Sequence, residues 1–386
     1  MAKGKGLREV GYIDCSGGGQ VVVKNDVAYI GNMSAPDGTL VVDVSDPRKP
    51  KELARLGMFV GTHSHKVRVE NDIMVINRER NPFQAGAPAD FKGGLGIYDV
   101  SKRGRPKFIT NWETDGRGVH RFDFDGRYAY ISPTVKGYVG NIVVILDLVN
   151  PAKPVEVGRW WMPGTMKGDA AAPPPRHALD KGYRAHNTNV YKQRPDRMYL
   201  CYIDGGMFVM DIADKSKPKM VSHWTNSPPY TGFMHTALPL FDRGLLIVTD
   251  ESTENSAKDW PKLVWILDLR DEKNPVSIAT CPMPPLDAYK DRGGRFGAHN
   301  LHENAPVPTA WQSDQILLGT FFNGGLRAYD ISNAYQPKEI AAFVPPAPKG
   351  TPAGAVQLND VFVDERQIVY TMDRFTGGLY TLEMDF

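Results

Sequence analysis

Residues 39–50 read TLVVDVSDPRKP, an apolar run followed by an acid and then by a proline seven positions after the acid. The pattern recurs five more times, as GIYDVSKRGRP, VVILDLVNPAKP, FVMDIADKSKP, VWILDLRDEKNP and RAYDISNAYQP. The six acids are Asp43, Asp99, Asp147, Asp211, Asp268 and Asp330, and their prolines are Pro50, Pro106, Pro154, Pro218, Pro275 and Pro337. Six matches at one fixed offset indicate an internal repeat.

Each repeat predicts a strand, a turn and the next strand. Valine, isoleucine, tyrosine and leucine favour the strand, the acid can accept hydrogen bonds from turn amides, and the proline interrupts the strand ladder where the turn ends. We therefore expect the six acids to be turn residues and not catalysts. Two further apolar segments precede each acid, and one follows each proline. Four strands per unit are typical of a β-propeller blade.

The sequence thus predicts an all-β fold, a seven-bladed β-propeller with four-stranded blades in one domain, residues 1–386. The seventh unit ends before its fourth strand, and the N-terminal segment LREVGYID resembles that missing strand. We expect this first strand to close the last blade, which removes the free edge of the ring. The alternative is two unrelated β domains. The expected blades are residues 19–58, 65–114, 120–162, 186–225, 235–283, 299–345 and 359–386 with 7–14.

Segments such as TLVVD and GGMFVMD resemble the LVIVD-repeat family. This resemblance covers nearly the whole chain and implies the propeller fold, but it implies little about activity. More loosely, the chain is similar to the selenium-binding protein and methanethiol oxidase group, whose propellers carry histidine-rich metal sites.

Histidine opens the predicted innermost strand of five consecutive blades, in segments such as HRFDFDGRYAYI and FGAHNLHEN. The innermost strands of a propeller surround its central channel, so equivalent positions form a ring near the axis. Gly19 and Asn359 occupy the position in blades one and seven. We expect His63, His177, His223 and His302 to be surface, loop or packing residues. The predicted ring consists of His65, His120, His186, His235 and His299.

Neutral imidazole nitrogens in such a ring can share a cation. All-nitrogen ligation favours iron or copper, with zinc or manganese as further candidates. The sequence therefore predicts one transition-metal ion bound by some of the five histidines. The alternative is that repeat duplication copied a histidine that only caps a strand.

Loops on the same face supply candidate catalytic residues. We predict catalytic roles for Glu251, Arg78 and Asp204, which follow second strands. Glu251, or Asp250 beside it, could orient a liganding histidine or act as a base. Arg78 or Arg374 could hold a carboxylate or phenolate. The alternative for each residue is turn capping or a surface ion pair.

Composition narrows the function classes. The net charge is +2, without the concentrated basic stripe of a nucleic-acid reader. No run of 18 uncharged apolar residues occurs, so we expect no membrane span. Three widely spaced cysteines and the absence of a signal-peptide pattern favour the cytoplasm.

We predict a metal-dependent enzyme for a small organic substrate, preferably an oxidoreductase, with a hydrolase or lyase as the alternative. A non-catalytic binding propeller is the second class, and the oligomeric state is left open.

Overall fold

A computed structural model describes residues 3–82, 84–170, 172, 181–227, 229–304 and 307–386. The described residues form seven antiparallel sheets, numbered here as blades 1 to 7. Blades 1 to 3 run in chain order, and two short inner strands of blade 2 both pair with its second strand. The strands of blade 1 are Gly18–Lys24, Val27–Asn32, Asp37–Asp43 and Lys51–Gly57. Those of blade 2 are Thr62–His63, Val67–Glu70, Ile73–Arg80, Gly94–Asp99 and Lys107–Glu113. Those of blade 3 are Val119–Phe124, Tyr128–Pro133, Val143–Asp147 and Val155–Trp160.

Blades 4 and 5 have the same order, whereas blades 6 and 7 take their outermost strand from the N-terminus. The strands of blade 4 are Thr188–Tyr191, Arg194–Cys201, Met207–Asp211 and Lys219–Trp224, and those of blade 5 are Met234–Leu240, Leu245–Asp250, Val264–Asp268 and Val276–Thr280. The strands of blade 6 are Ile316–Thr320, Leu326–Asp330, Lys338–Val344 and Lys3–Lys5. Those of blade 7 are Leu358–Val363, Ile368–Asp373, Leu379–Met384 and Leu7–Ile13. A 3-10 helix, Phe241–Arg243, and one α-helical turn, Leu286–Tyr289, complete the described elements.

The predicted seven-bladed propeller is confirmed, and so is the closure of the last blade by the N-terminal strand. Leu7 pairs with Met384 and Ile13 with Leu379, so the two ends of the chain share one sheet. None of the helices in the described part of the chain has the length and apolar character that crossing a bilayer requires.

Blade 6 differs from the expected pattern at both edges. Lys3–Lys5, which the sequence did not predict as a strand, pairs with Lys338–Val344 on the outside. The inner segment after His299 forms only one bridge, between Leu301 and Gly319. The side chain of Asn300 bonds instead to the carbonyl of Asn359 in blade 7 (2.7 Å). These side-chain contacts replace part of the regular ladder.

The six repeated acids are turn residues, as predicted. In every case an acid oxygen accepts a hydrogen bond from the backbone N–H two residues later, at 2.8 to 3.0 Å. This is the Asx-turn geometry that lets a short carboxylate replace a backbone acceptor. Each blade thus turns at the same point relative to its third strand, and equivalent inner-strand positions face the axis in all blades.

Candidate metal centre

A cavity of about 410 Å³ occupies one end of the central channel, and its lining includes all five predicted histidines. In blades 2 to 5 each histidine lies at or just before the start of the inner strand, and in blade 6 His299 precedes the inner segment that forms a single bridge. Neighbouring rings follow one another around the axis, with centroid separations of 4.9 Å, 4.9 Å, 4.4 Å and 4.5 Å from blade 2 to blade 6. The structure therefore brings the five predicted side chains together in one continuous arc.

Gly19 and Asn359 complete the circle. His65 leaves no room for a side chain in blade 1, because a Cβ on Gly19 would lie 2.6 Å from both the Cβ and the carbonyl oxygen of His65. Asn359 lines the cavity between blades 6 and 1, and its carbonyl oxygen lies 2.7 Å from Nδ1 of His299.

His63, which we expected to be a surface, loop or packing residue, is buried beside the predicted ring. Its ring lies 4.2 Å from that of His65, and its Nε2 lies 2.7 Å from Glu79. The same carboxylate oxygen is 2.8 Å from Nδ1 of His120, and Arg117 donates to the other oxygen at 3.1 Å. Glu79 is fully buried and sits behind two histidines of neighbouring blades.

In three histidines a hydrogen bond fixes the proton on Nδ1 and so leaves a lone pair on Nε2. A carboxylate and a carbonyl oxygen only accept hydrogen bonds, so Nδ1 carries the proton in His120, which faces Glu79, and in His299, which faces the Asn359 carbonyl. His186 donates Nδ1–H to the side-chain oxygen of Asn187 (2.8 Å), whose amide nitrogen in turn donates to Glu303. Histidines that ligate metals are oriented by such partners.

His65 and His235 have different partners. Asn77 donates its amide to Nδ1 of His65 (3.2 Å) and also to the Val119 carbonyl, so the neutral ring of His65 carries its proton on Nε2. His235 Nδ1 contacts the Thr236 hydroxyl at 2.7 Å, which fits either tautomer. His65 is therefore suited to donate a hydrogen bond into the cavity.

Burial keeps the ring uncharged. Removal from water is the largest cause that lowers the pKa values of His65, His186, His235 and His299 well below the usual 6.5. Neighbouring histidines and the cationic Lys66 or Arg121 add to this effect. Burial also acts to raise the pKa of Glu79, but His120 and His63 outweigh it and lower that pKa well below the usual range. Neutral imidazoles beside an ionised carboxylate suit a cation.

Glu251 lies where the sequence predicts it, at the cavity wall. Its two oxygens are 3.8 Å from Nε2 of His235 and 3.6 Å from Nε2 of His299, which is too long for hydrogen bonds. Arg295 donates to one of the oxygens at 2.9 Å. The structure offers two groups whose ligand atoms lie within 4.8 Å of one another: His63, His65 and His120; and His186, His235 and Glu251.

The cavity wall carries a cation without a partner. Nε and Nη1 of Arg374 are buried and make no hydrogen bond among the described residues. Burial, followed by the nearby Arg295, lowers the pKa of Arg374 to about 9. Arg117, Lys181 and Arg184 also line the cavity. The site therefore attracts anions in addition to the cation that its histidines can bind.

The channel is closed beneath the histidines by the residues that follow them in each inner strand. Arg121 and Arg68 both form ion pairs with Glu303, whose oxygen also accepts from Asn187 at 3.2 Å. Arg121 is 1% exposed, and the side chains of Arg68 and Glu303 are 12% and 10% exposed, so the ionic cluster is largely buried.

The structure does not bring Arg78 and Asp204 into this cavity. Arg78 packs over the ring of Phe91 at 5.2 Å and lines a separate cavity between blades 1 and 2. Asp204 accepts from the backbone N–H of Phe233 (3.2 Å) and from that of Gly182. It thereby fixes Phe233, which does line the histidine cavity.

Two of the remaining histidines have the expected packing roles. His302 bonds through both nitrogens to backbone groups of Trp311 and Val363, and His223 stacks on Phe208 and bonds to the Gly205 carbonyl. His177 lies outside the described residues. The sequence analysis assigned no role to Glu79 or His63, although HSH places two histidines on the same face of a strand and NRER forms the end of the strand that pairs with it.

Three segments of the chain match the LVIVD repeat, residues 18–56, 123–161 and 198–225. No curated protein matches the sequence. None of these comparisons tests the looser similarity to the selenium-binding protein and methanethiol oxidase group, which stays a prediction.

Similar solved structures include Raptor of Chaetomium thermophilum, with a TM-score of 0.61 and 10% identity over 98% of this chain and 29% of that chain. A protein from Lactobacillus plantarum gives 0.56 and 13%, over 99% and 100% of the two chains. The Cps50 (Swd1) β-propeller domain of Myceliophteria thermophila gives 0.55 and 10%, over 96% and 98%. At such identities the likeness shows the fold alone. The chain is therefore a seven-bladed β-propeller that carries LVIVD repeats.

Proposed function

We propose that this propeller binds one transition-metal ion in its histidine cavity and is a metal-dependent enzyme acting on a small organic substrate. The observation that carries the proposal is that Nδ1 of His120, His186 and His299 is hydrogen-bonded, which leaves the Nε2 lone pair of each ring available in a cavity that Glu251 also lines. Metal-ligating histidines are commonly oriented by such a hydrogen bond through their other ring nitrogen.

The ring dimensions favour an ion away from the axis. Seven equal steps of about 4.7 Å, the mean of the observed spacings, would place the ring centroids about 5 Å from the axis. The nitrogens would then lie about 4 Å from an axial ion, roughly twice the length of a metal–imidazole bond. An ion bound off the axis by His186, His235 and Glu251 needs only a small closure of the 3.8 Å separation between His235 and Glu251.

Two histidines and one carboxylate on one side of an ion, with open positions on the other, are the donor set of non-haem iron oxygenases. This set supports our preference for iron, with copper next, and for an oxidoreductase. A bound ion would supply Lewis-acid or redox chemistry at those open positions. Around it, Arg374 attracts an anionic substrate group and His65 donates a hydrogen bond through Nε2.

Metal analysis of the purified protein tests the proposal. We expect stoichiometric iron or copper in the wild type and its loss in the His186→Ala/His235→Ala double variant. His223→Ala is the matched control, because this exposed histidine bonds only to a backbone carbonyl and should leave the metal content unchanged. Oxygen consumption with candidate substrates should follow the metal content.

Stoichiometric zinc or manganese would instead favour the hydrolase or lyase alternative, because these ions activate water or polarise carbonyls without redox chemistry. A folded wild type that binds none of these metals would refute the proposal and favour a binding propeller. The expected cytoplasmic location and the absence of nucleic-acid or membrane partners stay predictions.

A further inference from the structure

A second cavity, of about 550 Å³, lies between blades 1 and 2. This volume falls within the range of small-molecule sites. His63 lines both this cavity and the histidine cavity, so the two adjoin at one side chain. Nothing in the metal proposal uses the remaining walls of the second cavity.

The walls include four large aromatic side chains. Phe59, Phe91, Tyr98 and Phe108 all line the cavity. Phe59 is 58% exposed and Phe108 is 52% exposed, so two large apolar rings face solvent at its edge. Aromatic faces and edges of this kind bind flat apolar molecules through ring contacts. The shape and composition therefore fit a ligand with an aromatic body.

Three residues that line the same cavity each have a buried polar atom without a hydrogen-bond partner among the described residues: Nη1 of Arg78, Oγ of Ser64 and Oγ1 of Thr39. Such atoms are rare in folded proteins, because each costs about 1 to 3 kcal/mol relative to a bonded one. The presence of three such atoms at one cavity indicates that a bound ligand supplies their missing hydrogen bonds.

The charge of the cavity is not balanced by the protein. Arg78 makes no ion pair among the described residues, and no aspartate or glutamate lines the cavity. Arg78 is half-buried against Phe91, and a bound anion would stabilise its guanidinium. One cation matches one carboxylate, and guanidinium pairs with carboxylates through two parallel hydrogen bonds.

We propose that the cavity between blades 1 and 2 binds a small aromatic monocarboxylate, whose carboxylate pairs with Arg78 while its ring lies among Phe59, Phe91 and Phe108. The hydroxyl groups of Ser64 and Thr39 donate to the ligand's oxygen atoms. The binding site does not depend on a metal, and its place beside His63 would let a bound ligand extend towards the histidine cavity.

Calorimetric titration with benzoate and with its neutral analogue benzamide tests this. We expect benzoate to bind the wild type at least about tenfold more tightly than benzamide, since a hydrogen-bonded charge pair adds 1.5 to 3 kcal/mol. In Arg78→Met this preference should disappear, whereas Arg48→Met, at a surface arginine whose side chain is 62% exposed, should retain it. Methionine keeps the length of the side chain and removes an unpaired buried charge, so the variant should fold.

Equal wild-type affinities for benzoate and benzamide would overturn the proposal without any variant. A benzoate preference that persists in Arg78→Met would also overturn it, because the anion would then bind elsewhere, for example at Arg374. Treatment with EDTA separates this proposal from the metal site: benzoate affinity should be the same in metal-free and metal-loaded protein.

Discussion

The ionic cluster that closes the channel gives a quantitative prediction for Glu303→Gln. Glu303 pairs with Arg68 and Arg121 and accepts from Asn187, and its side chain is only 10% exposed. Burial acts to raise the pKa of Glu303, but the two guanidinium groups outweigh it and lower that pKa to about 2 from the ordinary value of 4.5. Glutamine keeps the size of the side chain and removes the charge.

The fall in pKa corresponds to about 3 kcal/mol of folding free energy at neutral pH. Removing one partner of a buried ion pair costs about 3 to 5 kcal/mol, because the remaining charges stay buried. Both routes give the same range. We therefore expect Glu303→Gln to lower the free energy of unfolding by about 3 kcal/mol at pH 7.

The pH dependence provides a second check. A carboxylate with a depressed folded pKa contributes stability above its unfolded pKa and loses it as the pH falls towards the folded value. With values of 4.5 and about 2, about 1.4 kcal/mol of the difference between wild type and variant should be lost between pH 7 and pH 3.5. Urea denaturation of wild type and variant at pH 7 and pH 3.5 measures this difference in stability without adding salt.

Glu52→Gln is the matched control. Its carboxylate also holds an arginine through two hydrogen bonds, to Arg55 at 2.7 Å and 3.2 Å, but its side chain is 42% exposed. This surface pair should contribute less than about 1 kcal/mol. If Glu303→Gln were no more destabilising than Glu52→Gln at pH 7, the reasoning from burial and charge would be refuted.

Three further perturbations test the fold. Gly19→Ala should lower the free energy of unfolding in urea by about 1 to 3 kcal/mol, because its Cβ would meet the His65 Cβ at 2.6 Å. Gly57→Ala, whose Cβ would meet only the Pro36 carbonyl at 3.6 Å, should be nearly neutral. Equal effects would contradict the close packing of Gly19 against His65. Asp43→Ala should cost about 1 kcal/mol and Asp43→Asn much less, since the amide oxygen still accepts from Ser45; equal losses would argue against the turn role. Deletion of residues 1–14 removes the outer strands of blades 6 and 7 and exposes the edges of both sheets. Light scattering should then detect aggregation through these edges. A stable monomer would argue against closure by the N-terminal strand.

The fold was predictable because its signals are local. The acid–proline spacing depends on a turn of a few residues, and the Asx turns at Asp43 and its counterparts form from neighbouring atoms alone. The position of the five histidines followed from the same periodicity, since equivalent positions in a propeller face one axis. The short strand Lys3–Lys5 was missed because KGK has no apolar pattern that would indicate its pairing with Lys338–Val344.

The sequence by itself determined the repeat, the closed ring of blades and the set of histidines that meet at the axis. Only the tertiary structure decided what those histidines can do. The protonated nitrogen of His299 is set by a carbonyl of the next blade, and that of His120 by Glu79, which His63 shares. The position of Arg78 away from the ring was likewise decided by packing against Phe91. Such contacts join residues from different strands and blades through particular side-chain rotamers, and periodicity along the chain carries no information about them.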